Sequence, residues 1–212
     1  MKYSVVLVAS ALLLVQLAGA LPHVKRESED SSSELRSAQE RLMIYTFTEI
    51  AKLYKWVLEN GSVVINNAVK ELDEIPDKDD LLQANITRLS KIGSEVSQFK
   101  LEKDERSITK LLEYMVSFDA LMDDYENMPS DSKLKLTLKT AFDNNGYKKF
   151  EDEFLLKVDE FFKNFDHAFV EYVKTLTAEE KVKQSRFFQW HEDFTAETNV
   201  ATKLEKFDEL FV

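Results

Sequence analysis

No cysteine occurs anywhere in the chain. Thiol catalysis, thiolate metal centres and redox switching are therefore excluded, and no disulfide can brace the fold. Small secreted domains often need such bracing, but a chain of 212 residues can bury a core large enough to do without it. Glycine and proline are also scarce, at 4 and 3 residues, against ordinary usage of about 7 % and 5 %. All-β folds need many turns and doubly wound folds need glycine-rich crossings, so neither suits this composition. With so few glycines the chain holds no P-loop, dinucleotide fingerprint or G-x-S-x-G elbow.

Histidine is limited to His23, His167 and His191. Helical di-metal sites use Glu-x-x-His pairs, but Asn164 and Phe188 stand three residues before His167 and His191. His191-Glu192 begins the zinc-protease pattern H-E-x-x-H without completing it. Asp143-Asn144-Asn145-Gly146 faintly resembles a calcium loop, which requires Gly at its sixth position and Glu at its twelfth. Here Gly146 is fourth and Phe154 is twelfth, so the segment reads as a helix-stop turn. Adjacent acids such as Asp123-Asp124 and Asp152-Glu153 belong to solvated helix faces rather than to opposed hydrolytic carboxylates. The sequence offers no catalytic, metal or cofactor site, and a non-enzymatic protein is expected.

What is present begins with the N-terminus. Lys2 is followed by an apolar run from Val5 to Leu17 and then by Ala18-Gly19-Ala20, the small-residue pattern of a signal-peptidase site. The run is shorter than the ~20 residues of a membrane span, so residues 1–20 are expected to be a cleaved signal peptide and the protein to be secreted. No later stretch is apolar enough to span a bilayer. The chain carries 28 basic and 39 acidic residues, a net charge of −11, and removal of residues 1–20 takes away Lys2 and no acid. Such a surface repels phosphate backbones and anionic headgroups, which disfavours nucleic acid and electrostatic membrane docking.

Residues 21–33 read as a flexible acidic N-terminal segment, with Lys25-Arg26 as a dibasic pair. A helical domain is expected over 34–212. Leu35, Leu42, Phe47, Ile50, Tyr54 and Val57 suit one helix, and Asn60-Gly61 reads as its stop. Ile65, Ala68, Leu72 and Ile75 suit a second helix ended by Pro76. Leu82 to Phe99 and Ile108 to Tyr125 each carry an apolar stripe, with a charged break at Glu102 to Arg106 between them. Leu134 to Phe142 fits strand and helix spacing alike, and helix is favoured because a strand would have no partner. Asn144-Asn145-Gly146 closes that segment.

From Phe150 through Phe154, Val158, Phe161, Phe165, Phe169 and Tyr172 to Leu176 the apolar residues step by 3 or 4. Thr177-Ala178-Glu179-Glu180 reads as a capping box. A final helical region carries Val182 to Phe211, with a break expected near Thr195 to Asn199. The expected fold is an all-α, disulfide-free, single-domain bundle of about six or seven helices, connected up and down.

Two sequons, Asn60-Gly61-Ser62 and Asn85-Ile86-Thr87, make Asn60 and Asn85 candidate glycosylation sites of a secreted glycoprotein. Asn60 falls in the expected turn and Asn85 on a polar helix side. Twelve of the fifteen phenylalanines lie between Phe142 and Phe211. Apolar helix stripes usually fill a core. The alternative is an aromatic cavity for an apolar small molecule, lined by Phe154, Phe161, Phe165 and Phe169. Two binding functions are carried forward beside a third, purely structural role. One is an extracellular interaction protein that binds a macromolecular partner through its acidic surface, and the other is an extracellular carrier of a fatty acid or other apolar ligand. The first ranks ahead because no polar anchor for a lipid headgroup stands out in the sequence.

Overall fold

The computed structural model describes residues 38–102 and 104–209. The expected signal peptide, the acidic segment, His23, Lys25-Arg26, Leu35 and Phe211 lie outside them. Among the described residues there are eight helices and no strand. They are α1 (Ala38–Asp73), α2 (Asp80–Gln98), α3 (Glu105–Asn127), α4 (Lys133–Asn144), α5 (Tyr147–Lys174), α6 (Ala178–Lys183), α7 (Ser185–Ala196) and α8 (Val200–Asp208). The fold is an all-α bundle without disulfides.

The expected stop at Asn60-Gly61 is corrected, because α1 runs unbroken through it for 36 residues, about 54 Å at the helical rise. Gly61 is buried on the core face. A Cβ there would lie 2.6 Å from Phe118 Cζ and 3.6 Å from Phe150 Cζ. The missing side chain therefore lets α3 and α5 approach α1, and no left-handed turn is involved. The apolar pattern stays in phase across it, through Tyr54, Val57, Gly61, Ile65, Ala68 and Leu72, all buried. Asn60 Nδ2 donates to the Trp56 carbonyl at 2.9 Å, so this side chain lies along its own helix.

Local chemistry sets most other ends. The last turn of α1 tightens, with Glu74 N donating to Glu71 O and Ile75 N to Leu72 O, both at 3.2 Å, and Pro76 follows. The Asp79 carboxylate accepts from Leu82 N at 2.8 Å to start α2, and Asp104 accepts from Ser107 N at 2.7 Å to start α3. Lys135 Nζ donates to the Tyr125 carbonyl and lies 3.6 Å from the Tyr125 ring centre. That places positive charge at the C-terminal end of α3. Ser132 caps α4, and Gly146, at φ 88°, makes the turn into α5. The expected capping box forms at α6, where Thr177 N donates to Glu180 Oε2 at 2.8 Å and Glu180 N to Thr177 Oγ1 at 3.3 Å. The expected break after Thr195 falls between Ala196 and Val200, where Asn199 caps α8.

α1 is the axis of the bundle, neighboured by α2, α3, α4 and α5. It runs antiparallel to α2, with Asn66 Nδ2 donating to Gly93 O at 3.2 Å. It also runs antiparallel to α5. Glu71 accepts from Asn144 at 2.8 Å and from Asn145 at 2.7 Å at one end, and Leu42 and Tyr172 line one pocket at the other. α3 returns along α2, joined by the Arg88–Asp124 pair and by the edge-on rings of Phe99 and Tyr114, 5.4 Å apart. The buried apolar side chains form one contiguous core.

Gly61→Ala should lower stability. An added methyl against a packed ring costs about 1–3 kcal/mol, while the gain in helix propensity is only about 1 kcal/mol. Chemical denaturation measures the balance. A rise in stability would contradict the close approach of Phe118.

Candidate functional site: the aromatic end of the bundle

The second half of α5 carries the longest aromatic stripe, and α7 and α8 fold back over it. Phe154, Phe161, Phe165 and Phe169 are 2 %, 6 %, 2 % and 3 % exposed. Phe165 meets Phe207 edge-on at 5.1 Å and Phe194 at 5.8 Å. Phe161 meets Phe207 at 5.1 Å, and Phe169 meets Phe187 at 4.8 Å. Edge-on rings at these separations add about 0.5–1.5 kcal/mol each beyond the area they bury. Trp190 stacks on Phe194 at 5.2 Å and donates its indole N–H to Lys206 O at 2.8 Å, which fastens α8 to α7. Lys203 Nζ lies 4.8 Å from the Phe194 ring centre. The four candidate phenylalanines share one face of α5. Three of them, Phe161, Phe165 and Phe169, have other aromatic rings close against them.

Phe161 borders a cleft of about 220 Å³ beside Lys52, Leu53, Trp56 and Lys157, and Phe165 reaches a larger groove. α1 contributes Leu42, Met43 and Thr46, α5 contributes Phe165, and the α6–α7 corner contributes Lys183, Gln184, Arg186 and Phe187. The groove is open on one side and its volume is about 430 Å³, within the ~300–1,000 Å³ typical of small-molecule sites. Leu42, Thr46 and Phe165 are buried and form the floor, while Lys183 and Arg186 are exposed at the rim. The Tyr172 hydroxyl donates to Gln184 Oε1, tying the corner to α5. A depression of about 650 Å³ beside Asp104, Arg106, Thr109, Lys110 and Glu113 is lined by charged and hydroxyl-bearing residues from the start of α3 and its cap.

Beside the groove, His191 stacks face to face on Phe169 at 3.7 Å, and its Nε2 lies 2.9 Å from Asp166 Oδ1. Burial lowers the His191 pKa, and Asp166 only partly offsets that. His167, by contrast, is exposed. At the other end of the bundle burial raises the Tyr125 hydroxyl to about 12, and the Tyr147 hydroxyl also goes up, again chiefly through burial. Among the described residues no group of three metal-ligating side chains comes together, and no helix is long and apolar enough to cross a membrane.

The sequon residues lie elsewhere. Asn60 is half-buried mid-helix rather than in a turn, and Ser62 behind it is buried. Asn85 is half-exposed on α2, its Nδ2 bonded to Leu81 O at 2.9 Å, and Thr87 is exposed. The sequence reading missed Lys183, Arg186 and Met43. The available signal was the basic run Lys181, Lys183 and Arg186 in an acidic chain, but only the fold sets it against Leu42 and Phe165. No family model, no curated protein and no solved structure matches the chain.

His191 gives the aromatic end a pH dependence of known sign. The unfolded chain protonates near the ordinary value of about 6.5, and the folded chain only at lower pH. The contribution of neutral His191 to stability is therefore full above about 6.5 and is lost as pH falls toward the lowered folded value. His191→Phe keeps a ring on Phe169 and removes the titration. Melting temperatures at about pH 7.5 and 5.5 should fall less for the variant than for the parent chain. Equal falls would contradict a buried neutral imidazole.

Proposed function

We propose that the chain is a secreted, non-enzymatic interaction protein that binds a macromolecular partner through its acidic surface. The signal-like N-terminus, with Lys2, the Val5 to Leu17 run and Ala18-Gly19-Ala20, supports secretion. One observation carries the binding reading. Much of the positive charge is neutralised within its own helix, as in Lys52–Glu49 at 2.5 Å, Lys148–Asp152 at 2.6 Å, Lys157–Glu160 at 2.7 Å and Lys163–Asp159 at 2.6 Å. Exposed acids such as Glu95, Asp131 and Glu192 have no ion-pair partner among the described residues, so a chain of net charge −11 presents its surplus outward. Such a field favours a basic partner and speeds its encounter.

A second reading is an extracellular carrier of a fatty acid or other apolar ligand. It is favoured by a specific observation, the groove in which Phe165 lies beside Lys183 and Arg186.

Capture from extracellular fluid on the immobilised full chain, followed by identification of both protein and lipid fractions, separates the two readings. The expected outcome is a stoichiometric basic protein partner whose affinity falls about tenfold or more from low to high salt. Recovery of lipid alone would reject the macromolecular reading in favour of the carrier.

A further inference from the structure

We infer that the groove between α1 and the α6–α7 corner is a binding site for a free, single-chain anionic amphiphile of the fatty-acid carboxylate class. This inference rests on the carrier reading. The groove has the two parts such a molecule needs. Leu42, Met43, Phe165 and Phe187 supply an apolar bed for a hydrocarbon chain. Lys183 and Arg186 stand at its edge, separated by three positions across the α6–α7 corner, with Gln184 between them.

Among the described residues Lys183 is paired only with Glu179, at 2.7 Å, and both side chains are largely exposed, at 70 % and 79 %. Solvent screens such a pair, which therefore gives way readily to a competing carboxylate. Arg186 is exposed and has no ion-pair partner among the described residues. A guanidinium can grip both oxygens of a carboxylate at once. In a protein of net charge −11, two adjoining cations over an apolar trough select a ligand that is negative at one end and apolar along its length. A neutral lipid would leave Arg186 unanswered.

The site is also held in place. Thr46 Oγ1 turns back to donate to Leu42 O at 2.8 Å, so its methyl rather than its donor is left for the floor. The Tyr172–Gln184 hydrogen bond anchors the corner that carries both cations. Phe187 is packed against Phe169 at 4.8 Å, giving the groove a rigid wall. Met43 is half-buried on the opposite side, and its flexible thioether adapts to chains of different length.

The test uses the full chain and cis-parinaric acid, a fluorescent straight-chain fatty acid, with its methyl ester as the uncharged control. Lys183→Glu combined with Arg186→Glu changes two exposed rim residues, and Met43→Trp fills the trough. Saturable one-to-one binding of the acid is expected. It should weaken about tenfold or more in the charge-reversed variant and for the ester, as the loss of charged hydrogen bonds predicts, and should fail in Met43→Trp. Melting temperatures near that of the parent chain would show that both variants are folded. Saturable binding that neither variant disturbs would overturn the groove assignment while leaving the carrier reading standing. Absence of saturable binding to the parent chain would overturn both.

Discussion

The bundle depends on one helix remaining straight and continuous where its sequence invites it to turn. α1 buries Leu42, Ile50, Tyr54 and Val57 in its first half and Ile65, Ala68 and Leu72 in its second. Every long helix of the bundle packs on it. Gly61 lies between the halves and has no side chain to hold Phe118 and Phe150 away. A break there would part the two halves and uncouple the helices that each supports. The close packing of these rings against a bare helix backbone therefore couples the two halves of α1.

The two ends differ in chemistry. Around the second half of α1 the aliphatic side chains of Leu82, Ile86, Leu89, Leu111 and Met115 pack together with a ring cluster of Phe118, Tyr125, Phe142, Tyr147 and Phe150. Around the first half the core is aromatic, and α7 and α8 are short helices held by ring contacts and by the Trp190 bond to Lys206. The groove lies at this aromatic end, at the corner where the chain turns between α6 and α7. A corner can present Lys183 and Arg186 over Leu42 and Phe165, whereas a straight amphipathic helix separates its charged face from its apolar one. The proposed ligand chemistry thus follows from a change of chain direction.

Much of the architecture was legible in the sequence. Scarce glycine and proline and the stripe from Phe150 to Leu176 pointed to an all-α bundle, and the Thr177 capping box and the break before Val200 were read at their places. Gly61 reads as a helix stop in sequence because the property that permits a left-handed turn, the missing Cβ, also permits close approach of a neighbour. The in-phase apolar residues on both sides carried the better signal. The final region divides into α6, α7 and α8 because Gln184 and the stretch before Asn199 interrupt it, and Gln184 is not a breaking residue by type. The groove was illegible for a simpler reason: Met43 and Arg186 are far apart in sequence, and only tertiary packing makes them neighbours. The four candidate phenylalanines share one helix face, but the sequence could not say which of them border open space, as Phe161 and Phe165 do.

The continuity of α1 is measured most directly by amide hydrogen exchange across Asn60, Gly61 and Ser62 in the full chain. With one helix packed on both halves, these amides should be protected to the same degree as those of Leu58 and Ile65, and should open together with them. Fast exchange confined to Asn60, Gly61 and Ser62, between protected flanks, would mean that the chain turns there and would contradict the account.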